Sequence, residues 1–160
     1  MGVARSLLIV IAAILTLLGT FLFAILPGSP ALGSGLGFVM NLPTNFTATP
    51  APSEAIVYYL MLVLFIVWIA SGVLQFVALK SKLVGIIFSL VPLAIGVILI
   101  LVEYTTVLGP MSDLFLSMTA ADRIFAFFPI YYELFGMGLG VYLLLAGGVL
   151  GVIGSSLSKD

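Results

Sequence analysis

Three runs of the chain, Ser6 to Leu26, Ala55 to Leu79 and Leu83 to Val102, carry no charged residue, and Leu134 to Ser156 makes a fourth. Each is long enough to cross a hydrocarbon core of roughly 30 Å as an α-helix. The rest of the composition agrees: of 160 residues 63% are hydrophobic and 7% charged, and the mean hydropathy is +1.41. A water-soluble fold of this size has no means of hiding so much apolar surface. The expected fold class is therefore all-α: an integral membrane four-helix bundle forming a single domain. Its helices are placed at about residues 6–26, 55–79, 83–102 and 134–156, with outer loops at 27–54 and 103–133.

The first run follows Arg5 and precedes Ser29-Pro30-Ala31, which together suggest a signal peptide. Its apolar length exceeds the roughly 7 to 15 residues of a signal h-region, so it is read as a retained helix. Orientation follows from the cations, which stay on the cytoplasmic side during insertion. Arg5 precedes helix 1, Lys80 and Lys82 form the link between helices 2 and 3, and Lys159 follows helix 4. With four spans these positions share one face. The opposite face holds Glu54, Glu103, Asp113, Asp122 and Glu133 against Arg123. Both termini are expected in the cytoplasm, with the protein in the plasma or cytoplasmic membrane.

The first outer loop is rich in Gly, Pro, Ser, Thr and Ala, a composition for turns and extended chain rather than a helix. It contains Asn45-Phe46-Thr47, an acceptor pattern for N-glycosylation at Asn45. The second outer loop is itself apolar. Thr119-Ala120-Ala121-Asp122 has capping-box spacing, so a short interfacial helix is expected to start there and stop before Pro129. Phe115, Phe125, Phe127 and Phe128 are expected to touch a partner, with Asp113, Asp122 and Arg123 as its polar rim. Tyr58, Tyr59, Tyr104, Tyr131 and Tyr132 fall near the outer helix ends, where an interfacial aromatic belt belongs.

Inside the membrane the signal is small residues. At about 100° per residue, Gly136, Gly140, Gly147, Gly151 and Gly154 of helix 4 lie within an arc of about 60°. Such a stripe lets a neighbouring backbone approach, which is how helices associate in lipid. Gly85, Ser89, Pro92 and Gly96 mark a comparable face of helix 3, and Ala12, Thr16 and Gly19 a shorter one on helix 1. Gln75 is the most polar residue inside a predicted span, and an interhelical hydrogen bond is its expected use.

Much chemistry is disfavoured. The chain has no cysteine and no histidine, which removes disulfides, thiolate and imidazole metal sites and histidine-ligated haem. No nucleophile and base pair is recognisable, no Asp, Glu, Lys, Arg or His lies within a predicted span, and there is no basic patch for nucleic acid. Glu103 and Glu133 flank the second outer loop, where they can approach each other and Glu54 and offer oxygen ligands to a divalent cation, but solvated helix boundaries explain them more simply. Neither an enzyme, a bound metal nor a cofactor is expected.

The plan resembles the small tetraspan proteins, particularly the claudin and peripheral myelin protein group. It shares their longer first outer loop, tiny cytoplasmic link and a glycine-rich fourth helix, here Leu144, Ala146, Gly147, Gly148, Leu150 and Gly151. The likeness covers the whole chain as topology. The claudin first-loop signature of tryptophans and two cysteines is missing, so no functional residue carries over. The leading expectation is a non-catalytic structural or accessory subunit, packed into a homo-oligomer or a larger membrane complex and surrounded by lipid. The alternative is binding or transport of a lipid, quinone or other neutral small molecule within the bundle near Trp68, Gln75 and Ser89.

Overall fold

A computed structural model of the chain describes residues 2–26, 32–105, 109–122, 124 and 127–157. Four helices are long and apolar enough to cross a membrane: Val3–Leu22, Ala55–Leu79, Lys82–Tyr104 and Leu139–Ser156. The first is α1 (Val3–Leu17) continued by a π-helical turn, Leu18–Leu22. The second is α4 (Ala55–Leu74) tightened at its end into a 3-10 turn, Gln75–Leu79. The third and fourth are α5 (Lys82–Tyr104) and α7 (Leu139–Ser156). Large apolar side chains stand exposed on all four, among them Leu7, Val63, Ile87 and Val149. A helix apolar all round suits lipid, which covers such side chains without a core behind them.

α7 packs chiefly against α1 and α5, and glycine sets both separations. Gly140, Gly147 and Gly154 recur every seven residues; Gly147 and Gly154 face α1, and Gly140 faces the π-helical turn and extended segment that follow it. A Cβ at Gly147 would stand 2.9 Å from the Ala12 carbonyl oxygen, and one at Gly154 would stand 3.0 Å from Leu8 Cβ. Gly19 and Gly140 are reciprocal, since a Cβ on either would lie 2.7 or 2.9 Å from the other's carbonyl oxygen. This is the arrangement of paired Cα–H···O contacts between close helices. Gly151 and Gly148 turn toward α5, where a Cβ would meet Ser89 Cβ at 2.8 Å and Leu93 Cβ at 2.6 Å. On α5 itself, Gly96 lies against Leu145 and Gly85 against Ala78 and Ser155. Of the expected arc, Gly140, Gly147 and Gly154 thus face the first span and its continuation while Gly151 reaches both Ser89 and Ala12; Gly148, outside that arc, adds a second face toward α5.

Gly136 does not belong to that stripe, because α7 begins five residues later than expected, at Leu139. Residues Glu133–Leu134 (β3) and Met137–Gly138 (β4) instead form a hairpin with Phe135 and Gly136 at its tip. The same end of the bundle explains why helix 1 stops before Leu26. Phe23 to Leu26 run extended: Ala24 N–H donates to the Ile130 carbonyl (2.9 Å) and Ile25 N–H to that of Gly33 (2.8 Å). In return the Ala24 and Ile25 carbonyls accept from Gly140 N–H and Gly138 N–H, both at 3.1 Å. The first turn of α7 is therefore capped by backbone from another segment rather than by a side chain.

The two inter-span loops fold together over this end. In the first, Ser34 caps α2 (Gly35–Met40) by accepting from Gly37 N–H at 2.9 Å, and α3 (Leu42–Thr47) opens with Pro43 in its first turn. The loop thus contains two short helices where turns and extended chain were expected. In the second, α6 (Gly109–Thr119) ends where the short helix was expected to begin. Thr119 Oγ1 donates back to the Phe115 carbonyl at 2.8 Å instead of capping forward, and Ala120–Ala121 (β2) pair with Leu32–Gly33 (β1). The described residues are therefore mainly helical, with two small two-stranded elements among them.

The opposite end of the bundle holds Arg5, the 80–82 link and Ser156 together. Arg5 is buried in the first turn of α1, where Nη1 donates to the Leu79 carbonyl at 3.4 Å and Nη2 donates to that of Ala78. Lys82 Nζ donates to the Ser156 carbonyl at 2.9 Å. Two cations thus cap the carbonyl ends of two spans, where unpaired acceptors and the helix dipole favour positive charge.

Candidate functional site

The loop cap is anchored in the bundle by aromatic side chains. Phe65 of α4 receives Phe115 from α6 at 4.6 Å, Phe38 from α2 at 5.2 Å and Trp68 at 5.8 Å between ring centroids, all edge to face. Such pairs add about 0.5–1.5 kcal/mol each beyond the area they bury. Phe115 is thereby a core residue, and its expected exposure to a partner is corrected. A polar joint reinforces the anchor. Asn41 Nδ2 donates to the Ala120 carbonyl (2.7 Å), Asn45 Nδ2 to that of Met118 (3.2 Å), and Ser34 N–H to that of Thr119 (3.1 Å). Tyr58 OH then donates to the Asn45 carbonyl at 2.9 Å. Asn45 is buried and its amide nitrogen engaged, so in this structure the residue serves as a structural lock between the two loops.

Outside this anchored core lies a rim of exposed rings. Phe127 is 56% exposed and stacks with the half-buried Phe128 at 4.4 Å, while Ile130 and Tyr132 continue the surface. Phe125 and Arg123 lie outside the described residues. Among the described residues the most exposed ring is Phe135, at 84%, on the tip of the β3–β4 hairpin. Phe135 and Gly136 both have positive φ, 50° and 80°, the combination of a type I′ turn. Glycine accepts this geometry freely; phenylalanine does not. Two tyrosines hold the strained tip: Tyr104 OH donates to the Phe135 carbonyl, and Tyr142 OH to the Leu134 carbonyl at 3.0 Å. Beside the hairpin, Tyr131 OH donates to Glu133 Oε2 at 3.1 Å. Burial first, then this bond and the charges of Glu133 and Glu103, hold the Tyr131 hydroxyl above its ordinary pKa of 10.0, so at neutral pH it remains the donor.

A cleft of about 590 Å³ opens between the start of α4 and α6. Glu54, Asp113, Ser53 and Ser117 line its polar part, and Val57, Tyr58, Met111 and Leu114 the remainder. A second hollow of about 310 Å³ shares Val57 and Met111 with it and is otherwise lined by Leu60, Met61, Leu64 and Ile98. The residues about which an interior pocket was expected, Trp68, Gln75 and Ser89, are all at most 1% exposed, and Trp68 Nε1 and Gln75 Oε1 are buried without a hydrogen-bond partner among the described residues. Ser89 Oγ donates to the Gly85 carbonyl at 2.7 Å. Gln75 Nε2 reaches the Phe88 carbonyl of α5 at 3.5 Å, a long interhelical contact. Among the described residues no group of three or more His, Cys, Asp or Glu could hold a metal ion.

Several of these residues had no distinct signal in the sequence. Phe135 lay inside an apolar run that reads as helix, although the alternating Gly136, Gly138 and Gly140 warn against a helix start there. Arg5 read only as a flanking charge, and Gly148 as one glycine among many. Glu54 and Asp113 are 59 positions apart and meet at one cleft only through the packing of α6 on α4. No protein-family model matches the chain, and no curated protein or solved structure matches it either.

Proposed function

We propose that this chain is a non-catalytic accessory subunit of the membrane, inserted with both termini in the cytoplasm of a plasma or cytoplasmic membrane. It associates with itself or with a larger membrane complex through the aromatic rim of its loop end. Orientation rests on the charges: Arg5, Lys80 and Lys82 gather at the end opposite the loops, as retention of cations in the cytoplasm requires. The observation that carries the functional reading is Phe135. A large ring displayed in a backbone region costly to it, and clamped there by two tyrosines, is what a contact residue selected against local stability looks like. Phe127 and Phe128 extend the same apolar contact, and Glu133 and Asp122 supply a polar rim. The likeness in plan to the small tetraspan proteins is compatible with this role.

Replacing Phe127 and Phe135 together by serine leaves the anchored core of Phe38, Phe65 and Phe115 untouched. The expected outcome is normal membrane insertion with loss of the native assembly, measured by chromatography in a mild detergent. An assembly of unchanged size would contradict the role.

A further inference from the structure

The joint between the two loops lies deeper in the bundle than a connection between spans requires. Lys82 and Glu103 are separated on α5 by about 31 Å, at 1.5 Å per residue, which matches a hydrocarbon core of roughly 30 Å and marks its two surfaces. Arg5, bonded to the carbonyls of Ala78 and Leu79, stands at the level of the first surface. Counted from Arg5 along the first span, Thr20 is about 22 Å above that surface and so about 8 Å beneath the other. Gly35 of the first loop lies against it: a Cβ there would stand 2.6 Å from the Thr20 carbonyl oxygen and 3.0 Å from Ile69 Cδ1. The second span gives a similar level. Ile69 is about 17 Å from Leu79 through α-helical and then 3-10 residues, and its side chain leans further toward the loop end.

We propose that the first loop is re-entrant: it dips back into the acyl-chain layer, and lipid tails of the adjacent leaflet cover the outward face of α2. Non-helical backbone survives at such depth only where protein buries it and its polar groups are paired. Leu32, Gly33, Ser34 and Thr119 are buried, and the backbone around them is bonded within the joint. Ser34 N–H donates to the Thr119 carbonyl at 3.1 Å, Gly33 N–H to that of Leu26 at 3.2 Å, and Leu32–Gly33 pairs with Ala120–Ala121. Facing away from this joint, Leu36, Val39 and Met40 share one face of α2 at i, i+3 and i+4. Leu36 is half-buried, while Val39 and Met40 are 37% and 49% exposed. The face is wholly apolar and starts one residue from Gly35, at a level where acyl chains are the surrounding solvent. The reading rests on the four spans crossing lipid and holds whichever side the termini occupy.

The chain has no cysteine, so single nitroxide labels can be placed on the whole protein in phosphatidylcholine vesicles through Leu36→Cys, Val39→Cys, Val97→Cys and Phe46→Cys. Power-saturation spectroscopy then compares access of molecular oxygen, which enters the acyl layer, with access of a water-soluble nickel chelate, which does not. Val97, 44% exposed on α5, lies about 22 Å from Lys82 and marks the same depth as Gly35. Phe46, 62% exposed, follows Asn45, whose carbonyl accepts from Tyr58, about 16 Å nearer the loop end of α4 than Ile69. The expected result is an oxygen-to-chelate ratio at positions 36 and 39 that matches position 97 and stands well above position 46, with circular dichroism and thermal unfolding confirming the fold of each variant. Chelate access at 36 and 39 equal to that at 46 would overturn the proposal while leaving the spans in place. Low access of both reagents would put protein rather than lipid over the face and overturn it as well. Free chelate access at position 97 would remove the membrane placement itself, and the proposal with it.

Discussion

Phe135 stands where a hairpin of this shape ordinarily takes asparagine or glycine, because both central residues of a type I′ turn need positive φ. An L-residue with a bulky side chain loses about 1–2 kcal/mol in the left-handed region. The ring recovers little of this by burial, since it is 84% exposed within the chain. Phe135→Asn should therefore stabilise the isolated protein by about 1 kcal/mol while weakening its assembly, because the tyrosine contacts to the hairpin backbone survive the change. Thermal unfolding in detergent checks this; lower stability would mean that the ring packs on its own chain. Arg5 shows the opposite economy of a single side chain. In the proposed orientation its charge lies on the cytoplasmic side, and it also donates to the carbonyls that end the second span.

At the scale of elements, α7 is held at backbone distance from α1 and α5 by glycines on two faces. Even a methyl group at Gly147 would meet the Ala12 carbonyl oxygen at 2.9 Å, so Gly147→Ala must push α1 away. It is expected to cost about 1–3 kcal/mol, the usual penalty of overpacking. Val149→Ala, on a lipid-exposed face of the same helix, should change stability by less than about 0.5 kcal/mol. Equal losses at the two positions in thermal unfolding would show that the glycines do not set the separation. The spans were legible because lipid imposes a length and a composition on each helix regardless of its neighbours. Their ends were not. Leu134 to Gly138 is as apolar as a helix, but its backbone pairs with itself and donates to Ile25 from a distant segment, which no local window contains. The role of Asn45 was hidden for the same reason, since its partner is the carbonyl of Met118, 73 residues away.

For the whole molecule, the arrangement is a lipid-exposed bundle closed at one end by cation-capped helix termini and at the other by two interlocked loops. With Arg5 and the 80–82 link placed in the cytoplasm, a cysteine introduced at Ser81 should resist a membrane-impermeant thiol reagent in intact cells and react after permeabilisation. Labelling in intact cells would reverse the orientation and place the aromatic rim in the cytoplasm. The central claim is that this rim meets another protein, and the most direct measurement is site-specific photo-crosslinking with p-benzoylphenylalanine placed at position 135 in native membranes. The account predicts a discrete protein adduct, formed with a second copy of the chain or with a larger membrane subunit, and much reduced from a control position such as Val149 on α7. Adducts to lipid alone from position 135 would contradict it.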